Sequence, residues 1–176
     1  MKRRMNSECL FWKKIESPIG DIFIGWSMNG LLEVSFVEER SFEEILMGLR
    51  GKGFEPIKVE SGKPVVQLTE YFKGVRQNFS CKLKMRGSLF QIKVWNELLN
   101  IPYGATRSYG EIAKAIGKPK GARAVGLANH ANRIGIIIPC HRVIGSDGKL
   151  VGYGGGLDRK RWLLSHESRH MSTNPL

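Results

Sequence analysis

The spacing of apolar positions changes near the middle of the chain. Aromatic and β-branched residues crowd Leu10–Glu16 and Asp21–Trp26, with Ser17-Pro18-Ile19-Gly20 between them, and predict two strands joined by a turn. Asn29-Gly30 then separates Ile22–Trp26 from Leu32–Phe36, and Asn-Gly between strand-like runs predicts a hairpin because both residues tolerate positive φ. Ser41-Phe42-Glu43-Glu44 is a capping box that opens a helix to about Leu49, which Gly51 and Gly53 end. A short strand near Ile57–Val59 and a helix from about Pro64 to Phe72 follow, and Phe79–Arg86, polar and basic, is a connector.

In the second half the spacing becomes three and four. Ser88-Leu89-Phe90-Gln91 is a second capping box, followed by Ile92, Trp95 and Leu99 on one helical face. Pro102-Tyr103-Gly104-Ala105 turns the chain. Ser108-Tyr109-Gly110-Glu111 is a third capping box, and the helix it opens has Ile112, Ala115 and Ile116 on its apolar side and Gly117 and Pro119 beyond its end. A short helix of small residues runs from about Gly121 to Ala128. The pair has the proportions of a helix-turn-helix, and an ordinary helical hairpin packed in a core has them too. Lys118, Lys120, Arg123 and Arg133, on or beside the second helix, favour the DNA-binding alternative. Gly135–Ile138 is a β-branched run that predicts a buried strand ended by Pro139. Ser146-Asp147-Gly148 is a turn, Val151–Gly156 a glycine-rich loop, and Leu157–Glu167 an amphipathic helix.

Charge sharpens this picture. The 176 residues carry 28 Lys plus Arg against 16 Asp plus Glu, a net +12 that favours a polyanionic partner. Residues 1–87 hold 15 basic and 11 acidic side chains (net +4) and residues 88–176 hold 13 and 5 (net +8), so the second half is the better polyanion surface. Met1-Lys2-Arg3-Arg4 resembles the start of a signal peptide, but no adequate apolar stretch follows, and no run approaches the ~18 apolar residues of a membrane span. Cys9, Cys81 and Cys140 form no CxxC pair, which argues against a zinc ribbon or disulfide scaffold; a Cys9–Cys81 bridge stays open. A reduced, intracellular, soluble protein is expected.

Candidate chemistry centres on Ile138-Pro139-Cys140-His141-Arg142-Val143. Cysteine attacks only as the thiolate, and lowering a thiol pKa by ~2 units takes ~2.7 kcal/mol of stabilisation. A nearby base and cations supply this, and His141 and Arg142 are the nearest in sequence. Neighbours on an extended segment point apart, so contact between Cys140 and His141 requires a bridging water or a sharp turn. Glu167 is a candidate to fix the histidine's tautomer. The glycines after Tyr153 let backbone approach a flat ligand while the tyrosine covers it, as a base extruded from a duplex would require. The loop lacks the Lys-Ser/Thr ending of a phosphate loop. These residues leave open a DNA-binding regulator with a packed, inert Cys140, and a cysteine hydrolase, which needs an oxyanion hole and a partner histidine far away in sequence.

The segment Ile138–Val143 resembles the active-site signature of the O6-alkylguanine-DNA alkyltransferases. The similarity runs through Tyr109, Ala122-Arg123-Ala124-Val125-Gly126, Asn132, Tyr153–Gly156 and Trp162–Glu167, covering residues 88–167, while the first half resembles the family in outline. The resemblance implies an α+β protein of two domains, a ribonuclease-H-like sheet-plus-helix scaffold over 1–86 and a winged-helix-like domain with a helix-turn-helix over 87–176. It implies stoichiometric, irreversible transfer of an alkyl group from O6-alkylguanine, and O4-alkylthymine as well, to Cys140, with the base flipped through the minor groove. Cys140 would be the acceptor, His141 its base through a water, and Glu167 the support of His141. Asn132 would brace the turn before the cysteine, and Tyr109 would press on the backbone and hydrogen-bond the leaving guanine. Arg123 would fill the gap in the stack, with Ala122, Ala124, Gly126, Lys120 and Arg133 also at the DNA. Val143, Tyr153, Gly154 and Gly155 would line the base pocket. Gly154 stands where some members have a serine, so that hydrogen bond to the base is expected to be missing. The implied partner is double-stranded DNA, with a cytoplasmic monomer, no membrane and no cofactor. No metal is expected, since the first half has two cysteines and no histidine.

Overall fold

The computed structural model describes residues 8–37 and 41–171, so the charged start Met1–Arg4 lies outside them. Alternation of side chains across a strand sorts the first half into two faces. Strands β1 (Glu8–Ile15), β2 (Ile22–Ser27), β3 (Gly30–Phe36) and, after helix α1 (Phe42–Arg50), β4 (Phe54–Lys58) form a sheet ordered β3-β2-β1-β4. The expected hairpin is present: Ser27 pairs with Gly30 across Met28-Asn29, and Gly30 takes φ 136°. Phe23 and Leu32 point to one face, where Leu10, Phe54 and Ile45 and Leu49 of α1 join them. Ile22, Ile24, Leu31 and Val34 point to the other, against α2 (Lys63–Phe72).

The fourth strand lies earlier than Ile57–Val59. Its parallel register sets Glu8 against Phe54 and Trp12 against Lys58, and Phe54 is the buried anchor while Ile57 is exposed. Pro56 is tolerated because the strand is at the sheet's edge. The Phe79–Arg86 connector lies along β3, with Leu31 bridged to Leu83.

Helices α3 (Leu89–Leu98), α4 (Tyr109–Ala115), α5 (Ala122–His130) and α6 (Leu157–His170) carry the second half, with short strands β5 (Arg107–Ser108) and β6 (Val143–Ile144) paired in parallel. All three anticipated capping boxes are formed, by Ser41 with Glu44, Ser88 with Gln91 and Ser108 with Glu111. Trp95 Nε1 donates to Ala128 O at 2.8 Å and ties α3 to α5. Gly117, at φ 74°, closes α4 and lets the chain turn into α5.

Gly135–Ile138 is not a strand, which corrects the expectation. Ile134 makes an isolated bridge to Val34, with Val34 N donating to Arg133 O and Gly135 N to Val34 O, and the chain then folds into successive turns. Ile136 takes φ 68°, a conformation that β-branched residues rarely adopt. The run's apolar signal reported burial, since Ile136, Ile137 and Ile138 are all buried, and burial alone does not specify a strand. The bridge also joins the halves: Ile24 and Val34 share one core with Trp95, Ile112 and Val125. The architecture is a mixed α+β arrangement of sheet and helices. Cys9 and Cys81 are separate thiols, so the bridge left open is not formed. Among the described residues no helix is long and apolar enough to cross a membrane, and no group of three His, Cys, Asp or Glu is gathered to hold a metal.

Candidate active site

Leaving the turns after α5, the chain passes Pro139 and enters a single turn of 3-10 helix, Cys140–Arg142. This sharp turn is what the Cys-His dipeptide needs to place both side chains around one centre. Asn132 braces it: the Oδ1 accepts from Ile134 N at 3.0 Å, and the Nδ2 donates to Ile138 O at 2.9 Å and to Cys140 Sγ at 3.3 Å. The sulfur therefore has an N–H aimed at it, a contact that favours the thiolate over the thiol.

Behind the cysteine lies a buried charge network. His141 and Glu167 are fully buried, and His141 Nε2 stands 2.7 Å from Glu167 Oε1. Glu167 also accepts from Arg142 Nε at 2.8 Å and Nη2 at 3.0 Å, from the Tyr71 hydroxyl at 2.9 Å and from Gly104 N at 3.0 Å. Burial alone would raise the Glu167 carboxyl. His141 and Arg142 outweigh it and hold the group well below the usual carboxylate range. Burial lowers His141 against the pull of Glu167, so the imidazole is neutral near pH 7. A neutral ring facing a carboxylate carries its proton on Nε2 and leaves a lone pair on Nδ1. That Nδ1 is buried and has no hydrogen-bond partner among the described residues.

In front of the cysteine is a cleft of about 730 Å³, walled by Tyr109, Arg123, Gly126, Cys140, Tyr153 and Gly154. Ala122 joins this wall. Tyr109 OH donates to Val151 O at 2.9 Å, and burial followed by the nearby Cys140 raises its pKa. Arg123 is exposed at the mouth. The remaining predicted residues fall elsewhere. Val143 is wholly buried behind the wall, and Gly155 O accepts from Arg159 Nη1. Ala124 and Lys120 are exposed outside the lining. Arg133 borders a separate cavity of about 230 Å³ facing Leu32 and Phe54 of the sheet.

Two contributors went unread in the sequence. Lys160 is fully buried, and its Nζ donates to Val143 O, Val151 O and Gly152 O at 2.6, 2.9 and 3.2 Å, pinning the glycine-rich loop to the segment after the cysteine. Burial pushes its pKa down to about 8, against the attraction of Cys140. The signal was present: Lys160, Leu163 and Glu167 fall at i, i+3 and i+7, on one face of α6. Tyr71, from the first half, left none, because only the fold brings it to Glu167.

A family profile described as "6-O-methylguanine DNA methyltransferase, DNA binding domain" matches residues 89–169. A methylated-DNA–protein-cysteine methyltransferase of Mycolicibacterium paratuberculosis is 62% identical over 159 residues, 90% of this chain and 93% of its own. The crystal structure of Mycobacterium tuberculosis O6-methylguanine methyltransferase has a TM-score of 0.82 at 44% identity, covering 94% of this chain and 96% of that one. The structure of Mycobacterium tuberculosis OGT in complex with DNA has a TM-score of 0.80 at 45% identity, with coverages of 92% and 94%.

Proposed function

The chain belongs to the methylated-DNA–protein-cysteine methyltransferase family, and on that premise we propose that it repairs O6-alkylguanine in double-stranded DNA by moving the alkyl group onto Cys140. The observation that supports this is Cys140 at the wall of a cleft, followed directly in the same turn by a neutral His141 whose buried Nδ1 lone pair has no partner among the described residues. A water between Nδ1 and Sγ relays the thiol proton to His141, and Glu167 stabilises the imidazolium that forms. The Asn132 amide holds the sulfur anion.

The sulfur then attacks the alkyl carbon in line with the C–O6 bond. An S–C bond forms, the C–O6 bond breaks, and its electron pair stays on the guanine, which takes up one proton from water while Tyr109 hydrogen-bonds it; the His141 imidazolium returns the thiol's proton to water, so the count closes. The product thioether carries no group that activates water against it, so each molecule acts once. Neither a cofactor nor a metal enters, because the DNA is the alkyl donor. O4-alkylthymine presents the same alkyl-oxygen chemistry.

Binding follows from α4 and α5 acting as a helix-turn-helix set into the minor groove, where the small residues Ala122, Ala124 and Gly126 allow close approach. Arg123, at the cleft mouth, occupies the space of the extruded base, and Lys120 and Arg133 serve the phosphates. Tyr153, Gly154 and Gly155 line the base pocket, with Val143 supporting it from behind. The division at residue 86, into a ribonuclease-H-like scaffold and a winged-helix-like domain acting as a monomer, belongs to the same proposal. The test is duplex DNA carrying labelled O6-methylguanine. One label per protein fixed to Cys140, and none in Cys140→Ser, is the expected result. Binding without transfer makes the protein a damage sensor, and turnover beyond one product makes it a hydrolase.

A further inference from the structure

We infer that Asn129, on α5, is a specificity residue whose side-chain amide reads the alkylated base by its hydrogen-bonding edge; this rests on the function proposed above. Asn129 borders the cleft that holds Cys140, and the residue is 8% exposed. Both polar atoms of its amide, Oδ1 and Nδ2, are buried with no hydrogen-bond partner among the described residues. Buried amides are ordinarily satisfied, so two idle atoms on one side chain call for a ligand to satisfy them. Asn132, three residues on, is the contrast: its amide is fully engaged by Ile134, Ile138 and Cys140. One asparagine of this stretch is a brace, and the other holds a donor and an acceptor in reserve at the pocket wall. The terminal torsion of asparagine is broad, so the amide turns toward a ligand at little cost.

The chemistry of the lesion matches such a group. Intact guanine presents two adjacent donors, N1–H and the N2 amino group. Alkylation at O6 removes the N1 proton, so N1 becomes an acceptor beside the N2 donor. A primary amide presents the complement, with Nδ2–H facing N1 and Oδ1 facing N2–H. The same amide meets two donors on intact guanine and leaves one unpaired. Asn129 therefore senses the change in protonation that alkylation causes, while Cys140 takes the alkyl group itself. O4-alkylthymine lacks the amino donor and satisfies only half of the amide.

The experiment compares single-turnover transfer from O6-methylguanine and from O6-methylhypoxanthine, which keeps the methyl group and the N1 acceptor but lacks the amino group, each in the same duplex. The unaltered protein is expected to prefer O6-methylguanine by about tenfold, the discrimination one net hydrogen bond supplies. Asn129→Leu, similar in size and apolar, is expected to bring the two rates within about twofold by slowing O6-methylguanine, which loses both contacts, more than O6-methylhypoxanthine, which loses only the one at N1. Asn129→Ala serves as the second variant, and the melting temperature of each is recorded. An unchanged preference in the variants, or an equal loss on both substrates with a lowered melting temperature, overturns the inference and leaves the repair function standing. No transfer to Cys140 from either substrate by the unaltered protein removes the function and the inference together.

Discussion

At Glu167 the protein places one carboxylate, fully buried, among donors from His141, Arg142, Tyr71 and Gly104. Such a group stays ionised because its partners outweigh the penalty of burial, and removing it leaves the Arg142 charge uncompensated inside the fold. Its sensitivity to acid has a definite sign. Glu167 is depressed in the fold, so its contribution is present above its unfolded pKa of about 4.3 and is lost as pH falls. His141 is also depressed, so the unfolded chain takes up a proton first, and stability begins to fall below about pH 6.5. Melting followed from pH 7.5 to 4.5 is expected to show this decline starting near 6.5. A flat profile down to 5 removes the neutral buried His141. At the level of rate, Glu167→Gln is expected to shift the pH profile of Cys140 alkylation upward while the protein still folds. An unchanged profile excludes Glu167 from the relay.

Among the elements, α5 bears the most distinct assignments. It exposes Arg123 at the cleft mouth, buries Val125 and Ala128 against α3 and α4, and leads through Asn132 to the cysteine. A short helix of small residues suits this position because bulk would hold it away from its packing partners and, in the proposed binding, from the minor groove. If Arg123 acts on the DNA stack, Arg123→Ala is expected to slow repair in duplex DNA by about tenfold or more while leaving reaction with free O6-benzylguanine within about twofold, since a flipped base costs a few kcal/mol that a free base does not. Equal losses on the two substrates exclude the flipping role.

Over the whole molecule, the sheet and the helices share one apolar core, and the reactive turn is laid against both. Val34 of β3 bridges to Ile134, and Tyr71 of α2 reaches Glu167. Alkylation of Cys140 would add bulk to a buried turn and, in the proposed reaction, remove the sulfur anion that the Asn132 amide would hold. The alkylated protein is accordingly expected to melt several degrees below the unmodified one, roughly the effect of 1 kcal/mol in a chain of this size. Coincident melting curves exclude this coupling.

What the amino-acid order determined by itself was local: three capping boxes, the Asn29-Gly30 hairpin and the helices of the second half, each set by groups within a few residues of one another. The signature around Cys140 was legible for the same reason, as a contiguous string. Non-local partners were not. Phe54 anchors β4 through pairing with a strand more than forty residues away, and the β-branched run 135–138 reads alike whether it is a strand or a buried turn. Lys160, Tyr71 and Asn129 acquire their chemistry only from what encloses them: three carbonyls, a carboxylate from the far end of the chain, and the wall of a cleft. A side chain's burial, and the partners that satisfy or fail to satisfy it, are properties of the packed structure, because desolvation depends on every element that covers the group.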